Sequence, residues 1–187
     1  MMMNVEMRRQ VFHAIVGTVT IAAILQFGRI NSMLFFGIIF LLGLAISLLV
    51  LKGFRIPVIS HALEYFGRDN EKALPGRGAL MFALGIFLVT VLFQRTEIII
   101  GALIVSTYGD AASTIVGTSI GKTKIWENYT LEGTLGGIVV SALLLLFLFP
   151  LHVAIGTAIL GMLAELLPVD DNIGIPHIAA TALTVLL

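Results

Sequence analysis

Apolar and polar positions alternate along this chain in long blocks rather than at every second or third residue. Seven apolar blocks are visible, at about 11–27, 32–51, 76–94, 97–119, 132–150, 151–167 and 174–187. Each is nearly apolar all round, which suits helices immersed in lipid or packed wholly inside a bundle. The second, third and fifth blocks are uninterrupted. The fourth carries Asp110 in its interior and is expected to be broken or packed inside the bundle. Phe149-Pro150-Leu151-His152 reads as a tight turn between two blocks. The seventh is short enough for a tilted or re-entrant piece. Backbone polar groups must be paired in lipid, so the blocks are predicted to be helices. The expected fold is all-α: a polytopic transmembrane helix bundle of about seven spans, one domain over residues 1–187.

Composition agrees. Of 187 residues, 58% are hydrophobic and only 12% charged, and mean hydropathy is +1.06. Soluble domains carry about twice that share of charge, so this chain has too little polar surface for a globule in water. Net charge is zero, so no pull toward nucleic acid arises and none is expected as a partner. The absence of cysteine excludes disulfides and thiolate metal sites. Arg8-Arg9 before the first block resembles a signal-peptide start, but no small-residue cleavage site follows, and a retained first helix is expected.

Lysine and arginine set the orientation. With seven spans, Arg8, Arg9, Lys52, Arg55, Arg68, Lys72, Arg77, Lys122 and Lys124 fall on one side and only Arg29 and Arg95 on the other. The first side is expected to be cytosolic, with the N-terminus, and the C-terminus lies outside. The protein is then integral to a cell membrane or endomembrane. The reactive residues share the cytosolic side: Arg9, His13, Arg77, the stretch 109–132, Glu165 and Asp170-Asp171-Asn172. A transport pathway would be expected to place functional groups near the midplane and on both sides.

The richest stretch is Gly109-Asp110-Ala111-Ala112-Ser113, then Gly117, Gly121-Lys122-Thr123-Lys124, Glu132-Gly133 and Gly136-Gly137. An ionisable group inside an apolar block is costly and usually functional, which singles out Asp110. Lys122 and Lys124 suit phosphate charge, and Gly117 and Gly121 let backbone amides approach phosphate oxygens. The spacing is not a P-loop, since three residues rather than four separate Gly117 from Gly121. The same glycines also suit helix packing, and the lysines a cytosolic loop. Glu132, Glu165, Asp171 and Asn172 with Asp110 form an oxygen-rich set suited to Mg²⁺. Capping is the competing role for Asp170, Asp171 and Asn172, and first-turn stabilisation for Glu132. Arg9 and His13, and Arg77 in Pro75-Gly76-Arg77, suit either phosphate contact or interfacial anchoring. His61, His152 and His177 lack metal-ligand spacing.

These blocks resemble, in order, those of the CTP-dependent lipid-alcohol kinases, which act on dolichol, phytol or diacylglycerol. Arg8-Arg9 through His13 and Gly17 is similar to the family's basic-x-x-His-x-x-x-Gly block. Leu74 to Ala79 with Gly85 looks like its Pro-Gly-x-Gly-Ala loop. Gly109-Asp110-Ala111-Ala112 through Lys124 resembles its nucleotide block, and Thr130-Leu131-Glu132-Gly133-Thr134 its Lys-Ser-x-Glu-Gly-Ser/Thr segment. Glu165, Asp171-Asn172 and Pro176 resemble its closing block. Tyr129 stands where that pattern has lysine. The resemblance spans almost the whole chain. It implies CTP as donor, Mg²⁺ as cofactor and a membrane lipid alcohol as acceptor. Asp110, Glu132 and Asp171 would be the catalytic and metal residues. Gly117, Gly121, Lys122, Lys124, Asn172 and Arg77 would be the nucleotide residues. The CDP-lipid synthases share part of the pattern but close with a Pro-Gly-His-Gly-Gly…Asp-Arg block that is absent here. A non-enzymatic transporter or lipid-binding protein is the third reading. Gly133 with Gly137 forms a small-residue face suited to packing within one chain or between copies of a homo-oligomer.

Overall fold

A computed structural model describes residues 2–54, 74–126 and 129–187. Arg55, His61, Arg68 and Lys72, counted above, lie outside them. The helices are α1 (Met2–Leu51), α2 (Arg77–Leu92), α3 (Thr96–Ile104), α4 (Asp110–Ile120), α5 (Leu131–Leu145), α6 (Leu151–Leu163) and α7 (Asp171–Leu186). A π turn, Val105–Gly109, joins α3 to α4, and a 3-10 turn, Ala164–Leu166, follows α6. Two short antiparallel strands, β1 (Lys124–Trp126) and β2 (Tyr129–Thr130), make the one sheet among the described residues. Helix covers 83% of the described residues, so the class is all-α, as expected.

Helix α1 holds the first two apolar blocks. Gly28 breaks it, with φ 76° and ψ 169°, a conformation open to glycine and strained for other residues. The chain reverses there, because Val16, Val19 and Ala23 before the break line the same apolar cleft as Phe35, Phe36 and Ile39 after it. The second limb runs antiparallel to α2. Arg29 Nη1 donates to the Thr90 carbonyl at one end (2.7 Å), and Ser47 Oγ donates to the Pro75 carbonyl at the other (2.9 Å).

The remaining helices pack as short-looped antiparallel neighbours, α4 on α5, α5 on α6 and α6 on α7, with α7 also against α2 and α3. The core lies around α3 and the π turn. Ile99, Leu103 and Val105 are buried there against Leu145, Ala158, Met162, Ile175 and Leu183. Pro176 lies inside α7 and has no N–H to donate to the Asn172 carbonyl four residues back. That carbonyl faces Gly85 of α2, where any Cβ would collide with it. This close approach seats the start of α7 on α2.

The apolar blocks lead to an expectation of about seven spans; among the described residues two helical stretches, Met7–Leu51 and Thr96–Ile120, are long and apolar enough to cross a membrane. Helices α2, α5 and α6 are apolar but short. The 16 residues of α2 reach only about 24 Å, against a hydrocarbon core of about 30 Å. Apolar composition marks where helices form, whereas span length is cut by the turns that end them.

Candidate functional site

Chain reversals at Gly28, 93–95 and 146–150 gather at one end of the bundle. The termini of α2, α4, α5, α6 and α7 that carry Arg77, Lys122, Glu132, Glu165 and Asp171 gather at the other. The site is built at this second end.

Asp110 begins α4 immediately after the π turn. A π turn inserts a residue into a helix and often marks a functional site. Gly109 lets the turn sit against α5 and α6. A Cβ there would collide with Ser141 Oγ and lie 2.7 Å from Met162 Sδ. On the other flank stands His13, with Nε2 3.9 Å from Asp110 Oδ2 and 3.3 Å from the Ser106 carbonyl. Its ring meets Phe82 edge-on at 5.0 Å. Arg9 lies one helical turn before His13, on the same face of α1.

The loop after α4 is held by Glu132. Its carboxylate accepts the backbone N–H groups of Lys122 (3.1 Å) and Thr123 (3.1 Å) and the Thr123 hydroxyl (3.0 Å). These successive amides form an anion-binding nest, and its anion is the protein's own carboxylate. The Lys122 and Lys124 side chains remain exposed. Gly117 packs on α5, where a Cβ would lie 3.0 Å from Thr130 Oγ1 and 3.6 Å from Gly133 Cα. Gly121 is confined by the Gly117 carbonyl and Thr130 in the same way. Both glycines thus let α4 and α5 approach closely. Thr130 caps α5 by accepting from the Gly133 N–H at 3.2 Å.

At the start of α7, Asp170 takes the capping role. It accepts from the Asn172 N–H (3.3 Å) and Nδ2 (3.1 Å) and lies 3.5 Å from Arg77 Nη2. Asp171 instead accepts the Tyr129 hydroxyl at 2.7 Å. Burial, that hydrogen bond, and the charges of Asp171, Glu165 and Asp110 push the Tyr129 hydroxyl well above its ordinary range, so it stays a neutral donor. Glu165 is 1% exposed. Its Oε2 accepts Ser113 Oγ (3.1 Å) from α4 and Thr134 Oγ1 (3.3 Å) from α5, while Oε1 has no hydrogen-bond partner among the described residues.

Thus Asp110, Glu165 and Asp171 share one electrostatic neighbourhood around Tyr129. Glu132 stands apart from it, committed to the loop, and Arg77 and Asn172 are drawn to Asp170. Sequence reading missed the tying roles of Ser113 and Thr134. The signal was there, as hydroxyls within a turn of Asp110 and Glu132 in otherwise apolar helices. Among the described residues no three His, Cys, Asp or Glu side chains are arranged to hold a metal ion. Magnesium ordinarily takes one or two carboxylates together with substrate phosphates and waters. Asp171, which accepts the Tyr129 hydroxyl, and Asp110, whose charge reaches that hydroxyl, are hard oxygen donors that fit that mode, whereas a three-carboxylate cage including Glu132 does not.

The chain is 30% identical over 181 residues to "Uncharacterized protein MJ1137" of Methanocaldococcus jannaschii, covering 94% of this chain and 91% of that protein. The chain belongs to the same family as this archaeal protein. The relative's name states no activity, so family membership here carries architecture and not chemistry. No family model matches the chain, and no solved structure matches it.

Proposed function

We propose that this protein is an integral membrane kinase that transfers the γ-phosphoryl group of CTP to the hydroxyl of a membrane lipid alcohol of the polyisoprenoid class. The products are a lipid monophosphate and CDP. The observation that carries this reading is the grouping of Asp110, Asp171 and Glu165 around Tyr129, at the same end of the bundle as Lys122, Lys124 and Arg77. Paired carboxylates beside cations are what a polyphosphate and its metal require. Membrane insertion is supported by α1, since only 11% of an 18-residue apolar segment within Met7–Leu51 is buried by protein. So large an exposed apolar surface needs a lipid solvent. The seven apolar segments then lie in the membrane, the shorter ones packed behind α1, with the site facing the cytosol.

In the proposed mechanism Lys122, Lys124 and Arg77 neutralise the phosphates. Magnesium held by Asp110 and Asp171 would supply further charge neutralisation at the transferred group. Glu132 anchors the loop that presents the lysines. The lipid hydroxyl oxygen attacks the γ-phosphorus and its proton passes to Asp110, beside His13. The bond from the γ-phosphorus to the β–γ bridging oxygen breaks, and its electron pair leaves with CDP. Catalysis comes chiefly from positioning and charge stabilisation.

The test is product analysis. Purified protein in detergent is incubated with Mg²⁺, γ-labelled CTP and a panel of lipid alcohols. Label in a lipid phosphate, with CDP left behind, is the expected result and names the acceptor. Pyrophosphate released only when a lipid phosphate is supplied would reassign the chain to CDP-lipid synthesis. Lipid binding or uptake with no turnover would return it to a transporter or binding protein.

A further inference from the structure

We infer that the apolar cleft between the two limbs of α1 holds the hydrocarbon chain of the acceptor, with the lipid hydroxyl delivered to Asp110. This rests on the lipid-kinase reading above and goes beyond it by assigning the seat of the chain. Three observations carry it. First, the cleft begins beside the candidate site. Val16 on its wall is three residues after His13, and side chains at that spacing are neighbours about 5–6 Å apart on a helix. His13 Nε2 in turn stands 3.9 Å from Asp110 Oδ2. Tyr129 and Glu165, also within electrostatic reach of Asp110, are polar, so the chain leaves past His13. Second, the cleft runs in the direction a lipid needs. Its wall extends from Ile15 to Ala23, about 12 Å along α1, toward the reversal at Gly28 and away from the end that carries Lys122 and Arg77. A lipid of the cytosolic leaflet points its chain that way, and one leaflet's share of the hydrocarbon core is about 15 Å. Third, the cleft suits a branched hydrocarbon. Val16, Val19 and Ala23 leave room against Phe35 and Phe36, and Thr20 is the one polar residue on the wall. The cavity is about 250 Å³. An apolar cavity of about 150 Å³ takes benzene, with its six carbons, so this one takes roughly ten, or two isoprene units. The rest of a longer chain continues into the bilayer.

The test narrows the cleft at either end in the full-length protein in detergent. Val16→Phe fills the end beside His13, and Ala23→Phe fills the end beside the reversal. Phosphorylation from γ-labelled CTP with Mg²⁺ is measured for prenols of one and of four isoprene units. The KM for CTP, expected at its wild-type value, reports that each variant is folded. Ala23→Phe is expected to raise the KM for the four-unit alcohol about tenfold, to leave that for the one-unit alcohol within about twofold, and to keep kcat for both. Val16→Phe is expected to raise both KM values. A four-unit alcohol carrying a diazirine is expected to label residues 15–23 and 35–39, and unlabelled alcohol, but not phospholipid, to compete it away. Wild-type KM values for both alcohols in both variants overturn the cleft assignment and leave the kinase reading standing. Turnover of no lipid alcohol, with cleft labelling still competed by the alcohol, overturns the kinase reading and keeps the cleft as a lipid-alcohol site. Labelling that phospholipid removes equally well overturns the assignment in favour of ordinary bilayer lipid.

Discussion

Tyr129 donates its hydroxyl to Asp171 Oδ2 at 2.7 Å, tying the loop between α4 and α5 to the first turn of α7. The resembling kinases have lysine at this position; here a phenol meets the Asp171 carboxylate without adding charge. Tyr129→Phe removes this donor from Asp171. Hydrogen bonds to charged groups contribute about 1.5–3 kcal/mol. The proposed CTP kinase activity is expected to fall roughly tenfold in kcat/KM, and Tyr129→Lys to retain most of it. Unchanged kinetics in Tyr129→Phe would detach this contact from the chemistry.

The raised Tyr129 hydroxyl also has a pH consequence. A group held protonated in the fold stabilises it fully below the unfolded value, about pH 10 for tyrosine, and less as pH rises further. Wild-type unfolding midpoints in detergent are expected to drop between pH 9 and pH 11 (roughly, around that unfolded value). Tyr129→Phe should lack this part of the drop. Parallel curves for the two proteins would show that the hydroxyl carries no such linkage.

Asp110 stands at the end of the π turn with His13 beside it, and no other carboxylate occupies that place among the described residues. Asp110→Ala is expected to abolish turnover, by at least about 10³-fold, as loss of a central charge-handling group does. The protein should still insert and fold, because the helices around it pack through Gly109 and apolar neighbours. An active Asp110→Ala enzyme would remove this residue from the mechanism.

Glu132 is expected to act through the loop rather than on the reacting atoms. Glu132→Ala frees the Lys122 and Thr123 amides and should raise the KM for CTP several-fold more than it lowers kcat. The loop should also become open to limited proteolysis. A pure kcat loss with an intact loop would place Glu132 back among the metal ligands, as the sequence pattern implies.

Glu165 joins α4 to α5 through Ser113 and Thr134 from a fully buried position. Glu165→Gln keeps an acceptor for both hydroxyls and is expected to fold normally. Glu165→Ala leaves both without a partner and opens a cavity, a cost of about 2–4 kcal/mol. That should appear as a lowered unfolding midpoint in detergent, and equal midpoints for the two variants would contradict the tie.

Much of this architecture was legible in the residues. The seven apolar blocks mark the helices, because a helix that meets only apolar neighbours must be apolar all round. The break before Asp110 is visible as one charge in an apolar run, and the capping alternative at Asp170 follows from a short polar side chain at a helix start. Span length was not legible, because hydropathy reports burial from water and not the point at which a turn ends a helix. Nor was the sorting of the carboxylates. Glu132, Glu165, Asp170 and Asp171 look alike in sequence, being acids near helix ends on one side. Their roles differ only through what stands opposite. Two amides meet Glu132, two hydroxyls Glu165, a guanidinium Asp170 and a phenol Asp171. Those partners lie between 9 and 93 residues away along the chain. The sequence by itself thus determined which residues are apolar enough to build the bundle and which are polar enough to act. Only the tertiary structure decided which polar groups meet, because hydrogen bonds act over about 3 Å in space and are blind to distance along the chain.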